Sequence, residues 1–143
     1  MAYIDTSVLV AYYCPEAISD KVEAMLLSME RPAVSQLTVV ELASAISRKI
    51  REGTLTRESG EEIISLFNTH ITENRFAHYV LQSEHFTTAF KWISRLDTPL
   101  RTLDALHLAV AKNCKMPIIT SDSHLAQSAR ILGVDFQYIT NTP

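Results

Sequence analysis

The chain opens MAYIDTSVLV (residues 1–10). An apolar run, Ala2-Tyr3-Ile4, stops on Asp5, Thr6 and Ser7, and apolar residues resume at Val8, Leu9 and Val10. A run too short to alternate reads as a fully buried central strand. A carboxylate at its C-terminal end stands where open α/β sheets place their ligand crevices. The same Asp-Thr-Ser is also a good helix N-cap. This stretch alone leaves both readings open, and residues far along the chain decide between them.

The chain has 143 residues, which suits one domain over residues 1–143. Hydrophobic residues make up 47% and charged residues 20%, which excludes a disordered chain. No apolar run reaches the length of a membrane span. The N-terminus lacks the basic and long apolar regions of a signal peptide, so the cytoplasm is the expected location. Cys14 and Cys114 have no partner spacing, which argues against a disulfide framework or a zinc site. The net charge of −3 argues against simple electrostatic binding of nucleic acid. It leaves room for a nucleic-acid enzyme, because a bound divalent cation supplies local positive charge.

Helical patterns are expected over Val8 to Tyr13 and over Glu16 to Met29, separated by Cys14-Pro15. A stripe of Leu37, Val40, Ala43, Ile46 and Ile50 predicts a third helix, ending at Gly53. A fourth opens at Thr56 with Ile63, Ile64, Leu66 and Phe67 inward. A fifth opens at Ser83 with Phe86, Ala89, Phe90 and Ile93. Thr102 to Cys114 is apolar on most faces and predicts a helix packed on several sides. Ser123 to Leu132 predicts a last helix, stopped by Gly133. Short strands are expected at Ala33-Val34-Ser35, Phe76 to Leu81, Pro117-Ile118-Ile119 and Val134 to Ile139. The alternation predicts an α/β fold, a parallel sheet of about five short strands with helices on both faces.

Four acidic residues stand where elements start or end: Asp5, Glu41, Asp104 and Asp122. Each has an ordinary alternative. Glu41 could complete a capping box with Thr38. Asp104 could complement a helix dipole behind a Thr102 cap. Asp122 could cap the last helix, with Thr120 and Ser121 as turn residues. In a parallel sheet, however, strand ends and the following helix starts share one edge. Four carboxylates on one edge repel unless a cation sits between them. Hard oxygen donors suit Mg²⁺ or Mn²⁺. Such a site can polarise a phosphodiester, generate a hydroxide and steady the leaving oxygen.

Four segments carry a resemblance: Tyr3-Ile4-Asp5-Thr6-Ser7; Val34-Ser35 with Thr38-Val39-Val40-Glu41-Leu42-Ala43; Arg101-Thr102-Leu103-Asp104-Ala105-Leu106-His107-Leu108-Ala109; and Ile119-Thr120-Ser121-Asp122. In this order they resemble the PIN-domain nucleases, most closely the VapC-type toxins of toxin–antitoxin pairs. The resemblance implies a PIN-like domain and Mg²⁺ or Mn²⁺ held by Asp5, Asp104, Asp122 and Glu41. It gives Thr120 and Ser7 the role of orienting carboxylates or the attacking water. It implies an endoribonuclease leaving a 5′-phosphate, a cognate antitoxin partner and a homodimer. Some relatives carry one more acidic residue after the fourth, where this chain has Ser123 and His124.

Arg48, Lys49 and Arg51 form the one dense basic cluster. It reads as a solvated helix end, or as a contact for RNA phosphates together with Arg101. Tyr12, Tyr13, Val22 and Met25 are candidates for an apolar surface that takes an antitoxin helix, or else for core. His107 reads as a packed helix-interior residue, His124 as an exposed helix-start residue, and His70, His78 and His85 lack ligand spacing. Trp92, Phe86 and Phe90 read as core or dimer interface. Three rivals remain: a PIN nuclease of RNA processing without a toxin role, a PIN scaffold that binds without cutting, and a receiver-like signalling domain. The last needs a phosphoacceptor aspartate after a middle strand, where this chain has Gln82-Ser83-Glu84, and a lysine after the last strand, which is missing.

Overall fold

A computed structural model describes residues 1–142. The chain runs β1 (Tyr3–Ile4), α1 (Thr6–Tyr13), α2 (Ser19–Leu27), β2 (Ala33–Ser35), α3 (Gln36–Arg51) and α4 (Arg57–Thr72). It continues β3 (Ala77–Tyr79), α5 (Ser83–Ile93), α6 (Thr102–Asn113), β4 (Ile118–Thr120), α7 (Ser123–Leu132) and β5 (Phe136–Tyr138). The five strands pair in parallel in the order β3-β2-β1-β4-β5, the α/β architecture expected from the sequence.

That order creates the crevice. The chain lays β2 and β3 to one side of β1, then returns so that β4 lands on the other side. The connections leaving β1 and β4 therefore diverge, and a gap opens beyond their carboxyl ends. The central strand β1 is only two residues long, and both are fully buried.

The pleat sends alternate residues to opposite faces. Tyr3, Ala33 and Ile118 join the core under α5, α6 and α7, with Leu108, Ala109 and Leu125. Ile4, Val34 and Ile119 join the core under α1 to α4, with Leu9, Leu42, Ile46 and Phe67. Helix α6 is apolar nearly all round because every residue from Ala105 to Ala111 is buried, between α5 and the sheet. Gly133 ends α7 as expected, in the left-handed conformation (φ 68°) that a glycine adopts without strain. Among the described residues, no helix is long and apolar enough to cross a membrane.

Several helix faces differ from the sequence expectation. Helix α3 buries Thr38, Leu42, Ala45 and Ile46, while Val40 is 69% exposed and Ala43 also faces out. Its start explains the rotation. Ser35 caps α3 in a reciprocal box with Thr38, which turns Thr38 inward, and the i, i+4, i+7, i+8 spacing follows. Helix α5 shows the same effect. His85 Nδ1 accepts from the Gln82 N–H, so His85, Ala89 and Trp92 face the core, and Phe86 and Phe90 are exposed. In α4, Leu66 also lies outside. Helix α2 begins at Ser19 because the Ser19 hydroxyl ties down the preceding turn, accepting from Glu16 N and donating to Ala11 O. Strands β3 and β5 are shorter than the runs that predicted them.

Candidate active site

Asp5 follows β1 and occupies the N-cap position of α1, yet its side chain makes no capping bond. The capping alternative therefore fails here. Asp5 is 6% exposed, and a buried carboxylate is costly unless hydrogen-bonded. Its Oδ2 accepts from Ser7 Oγ at 2.6 Å and from Thr120 Oγ1 at 2.9 Å. Both hydroxyls are themselves held by backbone. Ser121 N–H donates to Ser7 Oγ, and Asp122 N–H donates to Thr120 Oγ1. The loops after β1 and β4 are thus locked around one carboxylate. Asp5 Oδ1 makes no hydrogen bond among the described residues and remains for the crevice.

Glu41 lies well inside α3 and takes no part in its cap, because Thr38 pairs with Ser35. Its Oε1 accepts from Thr6 Oγ1 at 2.8 Å and is also hydrogen-bonded to His107 Nε2. His107 is 1% exposed, and its Nδ1 meets Tyr3 Oη at 2.6 Å; Tyr3 Oη also lies 2.7 Å from Ser35 Oγ. His107 is packed in the helix interior, as expected, but it is also a polar link between the sheet and Glu41. Burial pushes the Glu41 carboxyl up, and the bonds from His107 and Thr6 outweigh it and hold it below the usual carboxylate range. Burial pushes the His107 imidazole down, and the bond and charge of Glu41, with Asp5 and Asp104, outweigh it and raise it. Thr6, His107 and Tyr3 were not singled out as site residues from sequence. The available signal was a lone titratable residue one turn after Asp104 in an otherwise apolar helix.

Asp104 stands in the first turn of α6, whose N-cap is Arg101 and not Thr102. Its nearest cation is Arg101, with Nε 3.9 Å from Oδ2 and a side chain 82% exposed, a contact of small worth. Burial raises the Asp104 carboxyl, and the nearby charges of Asp122 and Asp5 raise it further against Arg101 and His107. Asp122 does cap α7, so that alternative is correct: its Oδ1 accepts from His124 N at 2.9 Å, with Leu125 N at 3.5 Å. The cap engages one oxygen and leaves Oδ2.

Asp5, Glu41, Asp104 and Asp122 line one cleft of about 680 Å³, with Thr6, Ser7, Glu16, Ser44 and Glu52. Thr120 lies fully buried behind Asp5. Arg48, Lys49 and Arg101 line the same cleft, and Lys49 Nζ lies 3.6 Å from Glu16. Arg51 is not among the lining residues; its guanidinium donates to Ser47 Oγ. Of the apolar-surface candidates, Val22 is fully buried and belongs to the core, because it lies on the inward face of α2. Tyr13 is half-buried and bonds His70 Nδ1. Tyr12 opens onto a separate depression with Leu26, Leu27 and Met29. Met25 lines another, beside Lys21 and the C-terminal residues.

Among the described residues, no three His, Cys, Asp or Glu side chains stand at metal-ligand spacing. The donor set nevertheless fits a hard divalent cation in kind. It is all oxygen, and the repulsion that raises Asp104 is of the sort a cation relieves.

The profile of the PIN domain family matches residues 2–131. No curated protein is significantly similar in sequence. Among solved structures, the chain is similar to VapBC2 from Rickettsia felis bound to a DNA fragment from their promoter (TM-score 0.71, 14% identity, 98% of this chain and 100% of that one). It is also similar to VapC20 of Mycobacterium tuberculosis, a sarcin-ricin-loop-cleaving toxin (TM-score 0.71, 14% identity, 90% and 95%). A third is FitAcB from Neisseria gonorrhoeae (TM-score 0.72, 19% identity, 95% and 96%). At these identities the likeness is one of fold, and it agrees with the family match. With the sheet order, the crevice at β1 and β4 and a family profile covering most of its length, the chain belongs to the PIN-domain family.

Proposed function

We propose that this protein is a Mg²⁺- or Mn²⁺-dependent endoribonuclease and the toxin of a VapBC-type pair, acting in the cytoplasm. The observation that carries the reading is one cleft that gathers Asp5, Glu41, Asp104 and Asp122 beside Arg48, Lys49 and Arg101. A divalent cation bound there supplies Lewis-acid polarisation of the phosphodiester and activation of the attacking water. Asp5 is the most rigid donor, because Ser7 and Thr120 fix its orientation. Asp104 and Asp122 supply the facing oxygens, and Glu41 closes the α3 side. The basic residues orient the RNA backbone along the outer face of α3. Water adds to phosphorus, the bond to the 3′ oxygen breaks, and the products carry a 3′-hydroxyl and a 5′-phosphate.

An antitoxin partner fits the depression bordered by Tyr12, Leu26, Leu27 and Met29, which offers apolar anchors for an amphipathic helix. A homodimer fits the outer face of α5, where Phe86 and Phe90 are 54% and 71% exposed.

Purified protein should cut single-stranded RNA only with Mg²⁺ or Mn²⁺, leaving 5′-phosphate ends, and a small protein encoded beside it should co-purify and suppress the cutting. Asp5→Asn should lower cleavage at least roughly 100-fold while the protein stays folded. Cutting that persists in excess EDTA contradicts the metal requirement.

Asp104 gives a test that needs no substrate. Its raised pKa means that the folded chain disfavours the charged form. The cost is absent at low pH, grows as pH rises from the ordinary carboxylate value through the raised one, and is complete above it. At neutral pH in EDTA, Asp104→Asn should therefore be stabilised by on the order of 1 kcal/mol. The gain should vanish below about pH 3.5. Mg²⁺ should raise the wild-type melting temperature more than that of the variant. Equal Mg²⁺ responses would return Asp104 to the role of a helix-start residue.

Sedimentation should show a dimer for the wild type and a monomer for Phe90→Glu. A dimer that survives this change places the interface elsewhere.

A further inference from the structure

His107 does more than fill the core. It is the one polar side chain in the seven-residue buried run Ala105 to Ala111, and both of its ring nitrogens are engaged. On one side, Nδ1 meets Tyr3 Oη, which is anchored in turn on Ser35, the cap of α3. On the other side, Nε2 bonds Glu41 Oε1. The Nε2–H tautomer satisfies every contact, with Tyr3 donating to Nδ1 and Nε2 donating to Glu41. The doubly protonated ring also donates to Glu41, and there Tyr3 accepts. Nε2 is a donor in either form.

Thr6 donates to the same Glu41 oxygen from the first residue of α1. Two donors from two elements converge on Oε1, so only Oε2 is left for the cleft. We propose that His107 is a positioning residue for Glu41: bridged between Tyr3 and Glu41 Oε1, it fixes the carboxylate so that Oε2 alone faces the cation and RNA site. The inference rests on the function proposed above. It assigns a task to a residue outside the acidic set and couples the central strand β1 to the α3 wall of the site.

Two near-isosteres separate positioning from packing. In His107→Gln the amide nitrogen can take the place of Nε2 and keep the donor to Glu41. In His107→Asn the amide can take the place of Nδ1 and keep only the Tyr3 side. Mn²⁺ affinity by titration calorimetry and kcat on single-stranded RNA should be compared for the wild type, both variants, Glu41→Gln and the double variant Glu41→Gln/His107→Asn. His107→Asn is expected to weaken Mn²⁺ binding or kcat by roughly 10- to 100-fold, close to the effect of Glu41→Gln. His107→Gln should recover most of that loss. The double variant should be no worse than Glu41→Gln alone, since both changes break one link.

A folded His107→Asn with wild-type affinity and kcat overturns the proposal. So do equal losses in the Asn and Gln variants, or losses that add fully in the double variant. If His107→Asn does not fold, Tyr3→Phe takes its place, leaving the imidazole but removing its anchor. A smaller loss of affinity is then expected beside a near-normal His107→Gln, and an unchanged Tyr3→Phe overturns the bridge. A wild type that neither binds Mn²⁺ nor cuts RNA fails the proposed function and takes this inference with it. Losses confined to the variants tell the two failures apart.

Discussion

The hydrogen bond from Thr120 Oγ1 to Asp5 Oδ2 ties the carboxyl ends of β4 and β1 together where the crevice opens, and the site depends on it. The gap exists because the strand order reverses at β1, with β2 and β3 on one side and β4 and β5 on the other, and the connections that diverge there have little packing between them to fix their places. A buried carboxylate, that of Asp5, fills that role. It needs partners, and Ser7 and Thr120 supply them from the two sides of the opening. Hydrogen bonds to charged groups contribute about 1.5–3 kcal/mol each, enough to hold two loops in register. The same bonds occupy Oδ2 and leave Oδ1 oriented by default. Structure and proposed chemistry thus use different atoms of one residue.

The other carboxylates are compensated to different degrees. Glu41 is held by His107 and Thr6, and Asp122 Oδ1 by the first N–H groups of α7. Among the described residues, Asp104 has one ion pair, with a distant and exposed Arg101, and some further relief from the charge of His107. The repulsion of the edge therefore falls on Asp104, whose pKa is raised by burial and by that repulsion together. A chain selected only for stability would gain by neutralising that residue. Retaining the strain is reasonable if a cation removes it when bound. A net charge of −3 is also less of an obstacle to RNA than it looks, because Arg48, Lys49 and Arg101 share the cleft with the acids.

Much of this was visible in the sequence, for physical reasons. An apolar run ending in Asp marked β1, and short apolar runs between helices marked a parallel sheet. The all-round apolar pattern of α6 correctly implied packing on several sides. The misread faces of α3 and α5 share one cause. Thr38 and His85 go inward because they close helix N-termini, and hydropathy ranks them as surface residues while it ranks Val40, Phe86 and Phe90 as core. His107 escaped assignment for a related reason: its partners, Tyr3 and Glu41, lie 104 and 66 residues away and meet it only in the fold. Cap readings made residue by residue could not be ranked either, because the same short motif serves as a cap at Asp122 and as something else at Asp5.

Whether the edge at β1 and β4 holds a divalent cation is tested most directly by anomalous diffraction from crystals soaked in Mn²⁺. An anomalous peak is expected in the cleft, in contact with Asp5 Oδ1 and with oxygens of Asp104 or Asp122, and it should disappear in Asp5→Asn crystals. A cleft without a peak in Mn²⁺ crystals, or a peak that persists in Asp5→Asn, would contradict a cation site built on Asp5.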